Sequence, residues 1–192
     1  MRNAQIERGT KETQILVTVT LDGKGSAATR TGVRFLDHML EGFATHSLID
    51  LEVKAEGDLK HHIVEDVALV LGSALNKALG DRAGITRFGH AIVPMDDALA
   101  LAAVDLIRRP FASIELKLER ALLEDAHRED LEHFLPSLST TLEATLHVKV
   151  LEGRNDHHKM EAAIKAFARA FGNAIALDPK RSNQLPSSKG MM

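Results

Sequence analysis

The sequence predicts an α+β fold of two duplicated halves, each a mixed sheet covered by helices on one face. The first observation behind this is self-similarity. His61-His62-Ile63-Val64-Glu65-Asp66 returns as His157-His158-Lys159-Met160-Glu161-Ala162, an HHxxE pair offset by 96 positions. Upstream, Asp37-His38-Met39-Leu40 returns as Glu132-His133-Phe134-Leu135, and Leu51-Glu52-Val53-Lys54 as Leu146-His147-Val148-Lys149, both offset by 95. Three separate elements repeating at nearly the same spacing indicate duplication. The second observation is that strand-like and helix-like runs interleave while each half opens on an apparent hairpin, which demands antiparallel pairing. The halves are therefore residues 1–84 and 85–178, followed by a tail, 179–192. No Pro/Gly/Ser-rich linker separates them, so a shared interface or core is expected.

Periodicity then gives the elements in order. Residues 12–21 are rich in β-branched side chains, Asp22-Gly23 offers a turn, and 27–30 reads as the return strand. A short helix carrying His38 follows over 35–45, a strand over 49–55, and a long helix over 62–79 that Gly80 ends. The second half repeats the recipe, with strands over 87–93, 99–106 and 112–118, a helix over 128–138, a strand over 145–150 and a helix over 158–177. The charged stretch 119–129 reads as a solvated loop. The tail has no helical or strand period and reads as floppy or held by a ligand.

Composition narrows the chemistry. The 192 residues are 44% hydrophobic and 27% charged, enough for a sizeable core, so a disordered chain is excluded. No run suits a membrane span and the first residues lack a signal-peptide core, which places the protein in the cytoplasm. With a net charge of −3 and no basic stretch beside aromatics, neither nucleic acid nor membrane is an expected partner. The absence of Cys removes disulfides, thiolate nucleophiles and cysteine metal sites, while ten His remain. A metal here must be held by imidazole and carboxylate.

Helix geometry explains the HHxxE repeat. Residues four apart share a face, so His61 with Glu65, and His157 with Glu161, can each reach one ion, while adjacent histidines diverge by about 100°. Symmetry suggests two metals: His38, His61, Glu65 and His158 on one, and His62, His133, His157 and Glu161 on the other. Four ligands without Cys leave open positions on a six-coordinate ion, the mark of a catalytic site. A lone HHxxE is more often a cap or surface pair, and it is the duplication that outweighs that reading. His46, His90, His127 and His147 fall outside the pattern and read as structural or surface.

Five motifs in order, Phe35-Leu36-Asp37-His38-Met39-Leu40, His61-His62-Ile63-Val64-Glu65-Asp66, Pro94-Met95-Asp96-Asp97-Ala98-Leu99, Asn155 to Arg169, and Pro186-Ser187-Ser188-Lys189-Gly190, resemble the imidazoleglycerol-phosphate dehydratase family of histidine biosynthesis. The likeness runs from Arg8 to Gly190. It implies halves like the second domain of ribosomal protein S5, two manganese ions (Mn2+) per active site, and trimers assembled into a 24-subunit shell with sites at subunit contacts. It also implies dehydration of imidazoleglycerol phosphate to imidazoleacetol phosphate. The substrate hydrogen to be removed is not acidic. Metal on both ring nitrogens would make the ring an imidazolate able to expel the neighbouring hydroxyl, after which the C–H becomes acidic. Glu12 matches a substrate-contacting Glu of the family and is the first candidate for moving protons, with Glu65, Glu161 and Asp97 behind it. Arg87, Arg109, Ser187 and Lys189 match phosphate-contacting positions. The chain departs from the family pattern in a shortened segment, Gly57-Asp58-Leu59-Lys60, in Ile63 where Thr is usual, and in Asp97 where Glu is common. Two rivals compete with this reading: a dinuclear metallohydrolase acting on a phosphoester, and a non-catalytic metal-stapled assembly protein.

Overall fold

The computed structural model describes residues 1–181 and 184–191. The chain runs through β1 (Asn3–Gly9), β2 (Thr13–Thr20), β3 (Ala27–Arg30), α1 (Arg34–Ser47), β4 (Asp50–Gly57) and α2 (Lys60–Leu79), then β5 (Phe88–Met95), β6 (Ala98–Asp105), β7 (Phe111–Glu115), β8 (Leu122–Leu123), β9 (Ala126–His127), α3 (Arg128–Leu142), β10 (Thr145–Glu152) and α4 (Asp156–Ile175).

Alternating burial builds the sheets. Ile15, Val17 and Val19 of β2 and Leu51, Val53 and Ala55 of β4 point inward between exposed or half-buried neighbours, the period of a sheet with one face on a core. The two four-stranded sheets have matching orders, β1-β2-β4-β3 and β5-β6-β10-β7. In each, the outer strand that follows the central hairpin, β3 or β7, runs parallel to its neighbour and the other pairs are antiparallel. The duplication read from the histidines is thus a duplication of topology.

Two expectations need correction. The strand over 12–21 does form, but its hairpin partner is β1, whose residues the periodicity did not mark; residues 27–30 pair in parallel with β4 instead. The cause lies in Asp50, whose carboxylate accepts from the N–H groups of Lys24 and Ser26 and from Ser26 Oγ, carrying the link across the end of β4. The 119–129 stretch is not simply a solvated loop. It folds into the β8–β9 hairpin and buries Leu123 and Ala126. The tail is tied to the second half, since Gly84 N–H donates to the Gln184 carbonyl and the Arg87 guanidinium to that of Pro186. Ser182, Asn183 and Met192 of that tail lie outside the described residues.

The helices decide how the halves meet. α1 packs on α4 and α2 on α3, so each helix pair joins one half to the other. Leu36 and Phe43 of α1, Leu71 of α2, Phe134 of α3, and Ile164 and Phe167 of α4 line one central junction, where Phe43 stacks on Phe167 with ring centroids 5.4 Å apart. One continuous core results, as expected for halves without a linker. Close approach is set by small residues: a Cβ on Gly89 of β5 would lie 1.8 Å from the Ala170 carbonyl oxygen of α4. Among the described residues no helix is long and apolar enough to cross a membrane.

Candidate active site

Two groups of His and Glu assemble at the helix starts. In one, Glu161 Oε2 lies 3.6 Å from His38 Nε2 and 3.4 Å from His157 Nε2, and the three ligand atoms fall within 4.8 Å of one another. In the other, Glu65 lies 3.9 Å from His61 Nε2 and 3.6 Å from His133 Nε2. Each group takes an i,i+4 pair from an HHxxE helix and one His from the helix packed against it. That packing overturns the grouping expected from symmetry. His38 joins His157 and Glu161, because α1 lies on α4, and His133 joins His61 and Glu65, because α3 lies on α2.

The second histidine of each pair turns elsewhere. His62 Nδ1 is 2.7 Å from Asp58 and 4.0 Å from Glu12, which stands in the β1–β2 turn. His158 Nδ1 is 2.6 Å from Asp97 and its Nε2 is 3.4 Å from Asp96, both in the corresponding β5–β6 turn. The exchange of His62 and His158 between the inner groups is therefore not made within this chain. Paired carboxylates hold these imidazoles toward their protonated forms, Asp58 for His62 and Asp97 for His158. In return Asp58 and Asp97 lie below the usual carboxylate range, Asp97 through His158 and then the N–H groups of Arg154 and Asn155.

The donor chemistry fits divalent metal. Four of the six imidazoles, His61, His62, His157 and His158, place Nδ1 against a carboxylate of Asp130, Asp58, Glu124 and Asp97. In the neutral ring this favours the Nδ1–H tautomer, whose Nε2 carries the lone pair, the arrangement typical of metal-binding histidine. Asp130 raises the His61 pKa in the absence of metal. Burial pushes Glu161 up, but Lys165, 2.7 Å away, outweighs it and keeps the carboxyl below its usual range.

The β8–β9 hairpin ties these helices together. α1 has no side-chain cap of its own, and Asp125 supplies one from 90 positions away by accepting from Arg34 and Phe35 N–H. Lys60 in the first turn of α2 donates to the Asp125 carbonyl at 2.7 Å. Burial works against the Asp125 charge, yet the N–H groups of Phe35 and Arg34 hold its pKa below the ordinary value.

A separate basic cleft of about 370 Å3 lies at the other end of the second sheet, lined by Arg87, Arg108, Arg109, Ser187, Ser188 and Lys189. All four phosphate candidates meet there. Arg87 is held by a two-point pair with Asp105 at 2.7 and 3.1 Å, and Arg108 is drawn aside to Glu143 and the Gly80 carbonyl. Arg109 is positioned by Thr145, whose hydroxyl donates to its carbonyl.

With this geometry in place, comparison with known proteins is decisive. A family model described as imidazoleglycerol-phosphate dehydratase matches residues 31–171. The chain belongs to the imidazoleglycerol-phosphate dehydratase family. Relatives of that name from Chlorobium chlorochromatii and Methanothermobacter thermautotrophicus are 48% and 47% identical, each alignment spanning 100% of this chain and 97% or 98% of the relative. The family's solved structures share the fold. That from Staphylococcus aureus has a TM-score of 0.84 at 33% identity, covering 92% of this chain and 99% of its own. That from Pyrococcus furiosus, in complex with (S)-C348, has a TM-score of 0.84 at 36% identity, covering 97% and 100%. The enzyme is accordingly a hydro-lyase.

Of the carboxylates that hold the imidazoles, sequence reasoning named Asp97 and missed Asp58, Asp130 and Glu124. Asp58, four before His62, and Asp130, three before His133, carried a helix-face signal that could have exposed them. Glu124 and Asp125 carried none, since their partners lie 33 and about 90 positions away.

Proposed function

We propose that this chain dehydrates imidazoleglycerol phosphate to imidazoleacetol phosphate in a metal-dependent reaction of histidine biosynthesis in the cytoplasm. The observation that carries this is the pair of His/His/Glu groups, each with its HHxxE histidine braced at Nδ1. Two divalent ions, manganese by family, would be held by His38, His157 and Glu161 and by His61, His133 and Glu65, with His62 and His158 completing sets on neighbouring chains. Bound there, the ions supply Lewis acidity to the substrate imidazole and a template for its ring.

The protein's own groups supply binding and proton movement. Arg87, Arg109, Ser187 and Lys189 hold the phosphate, with Arg87 kept rigid by Asp105 so that little motion is lost on binding. The reaction removes a C–H proton from one carbon and a hydroxyl from its neighbour, and the resulting enol tautomerises to the ketone. Glu12 is the first candidate to take and return the proton, being exposed beside His62; Glu65, Glu161 and Asp97 stand behind it.

Assembly follows from distance. Arg87 precedes β5 and Asp96 follows it, and an eight-residue strand spans about 27 Å. α4 repeats this span, with His157 at its start and the Ala174 carbonyl bonded to Arg87 N–H at its end. One chain's basic cleft is thus too far from its own His158 for a small substrate to touch both. A site shared between copies removes the difficulty, as the family's trimers in a 24-subunit shell would provide, with halves 1–84 and 85–178 acting as one unit.

The test is to strip the protein with chelator, restore Mn2+, and follow imidazoleglycerol phosphate for ketone formation with phosphate release in parallel. Metal-dependent ketone is the expected result. Phosphate without ketone would put a metallohydrolase in its place, and neither product from a metal-loaded oligomer would leave only the assembly protein.

A further inference from the structure

The two inner His/Glu groups match by duplication, yet their surroundings do not. Asp130 and Phe35 occupy equivalent positions, each three residues before the helix histidine, His133 or His38. Asp130 is buried, with a side chain 2% exposed, and its Oδ1 lies 2.6 Å from His61 Nδ1. Its Oδ2 is buried without a hydrogen-bond partner among the described residues. Phe35 is equally buried, but it sets an apolar ring against His157, with centroids 5.2 Å apart. The carboxylate that His157 does meet, Glu124, lies at 3.2 Å and is mostly exposed.

A second difference adds to the first. Glu161 is paired with Lys165 one turn along α4, whereas the position equivalent to Lys165 on α2 is Leu69. Among the described residues Glu65 and Asp130 at the first group pair with no Lys or Arg, whereas at the second Glu161 and the exposed Glu124 are offset in part by Lys165. A divalent cation is attracted more strongly to the former. Asp130 also favours the Nδ1–H tautomer of the neutral His61 ring, and its carboxylate is itself buried.

We infer that the two metal sites are unequal, and that Asp130 acts as a positioning residue that makes the His61/Glu65/His133 site the tighter one. This rests on the metal-dependent reading above. It also gives the unpartnered carboxylate oxygen a purpose: a buried charge costs stability, and a cation bound through His61 offsets part of that cost.

The experiment is a Mn2+ titration of the metal-stripped protein, followed by the magnetic resonance signal of the free ion, with thermal melting of the metal-free protein alongside. Two classes of site are expected. Glu65→Gln should remove the tighter class and Glu161→Gln the weaker. Asp130→Leu should loosen the tighter class by about 10–100-fold and leave the weaker unchanged, with Asp130→Asn, which keeps an acceptor for His61, falling between. The melting temperature of the metal-free Asp130→Leu protein should hold or rise, which a merely structural carboxylate would not allow. Two equal classes, or loss of the tighter class in Glu161→Gln, would overturn the inference while leaving metal binding intact. Equal loosening of both classes with a lowered melting temperature would also overturn it. Absence of Mn2+ binding in the parent would instead remove the reading on which it stands.

Discussion

The two HHxxE helices start in different ways. In the second half, Asn155 caps α4 by accepting from His157 and His158 N–H, and Asp97 grips the turn before it through Arg154 and Asn155 N–H. In the first half, α2 begins from Leu59 without a side-chain cap, and its histidines depend on Asp58 and Asp130 for their orientation. Duplication has thus preserved where the imidazoles point while changing what holds them. Both halves brace the rings at Nδ1, and the second also fixes the backbone beneath its pair.

The largest expected effect tests whether both halves are required. Glu161→Gln should remove one bound metal per chain and lower turnover by more than about 100-fold, since even partners outside the ligand set are worth roughly 10–100-fold. Full metal occupancy by elemental analysis would take Glu161 out of the ligand set. Next is the basic cleft of the second half; beside β1 and β2 of the first half stands the Arg2–Asp22 pair. Lys189→Ala should raise KM about 10-fold or more, the worth of a hydrogen bond to a charged group, with metal content unchanged. Unaltered kinetics would break the assignment of the tail to phosphate.

Smaller changes address the helix starts directly. Asn155→Ala should cost about 1 kcal/mol in denaturant unfolding, and Leu59→Ser, at an exposed position with extended backbone angles, should stabilise the first half by up to that amount. Equal, negligible effects would mean that capping does not distinguish the halves. The smallest effect concerns Asp50, which pins the link before β3, where the second half uses the uncharged Thr145. The N–H groups of Lys24 and Ser26 and the Ser26 hydroxyl lower its pKa from 3.8 to about 2. A carboxylate lowered in the folded state adds stability that is present above 3.8 and lost as pH falls toward 2. Asp50→Asn should therefore flatten that part of the acid-unfolding profile, and an unchanged profile would remove Asp50 from it.

Much of the site was legible because its signal is local. His61 with Glu65 and His157 with Glu161 are neighbours in any α-helix, and a repeated spacing shows that they occur twice. The central strands β2, β4, β6 and β10 announced themselves through alternation or β-branched content. β1 did not, because Asn3, Gln5, Glu7 and Arg8 break up the apolar residues of an edge strand with one solvated face. The β8–β9 hairpin was hidden by its charges, which are spent on backbone N–H groups and a histidine of distant elements.

By itself, the sequence determined the α+β class, the duplication and the two His/Glu pairs, since each follows from short-range periodicity or repeated spacing, while its motifs carried the resemblance to the family. The tertiary structure alone decided that His38 goes with Glu161 and His133 with Glu65, and that Asp130 stands buried behind His61 where Phe35 stands behind His157. Those outcomes depend on α1 lying against α4 and α2 against α3. That packing is chosen by burying apolar faces contributed by all four helices at once, and no local pattern encodes it.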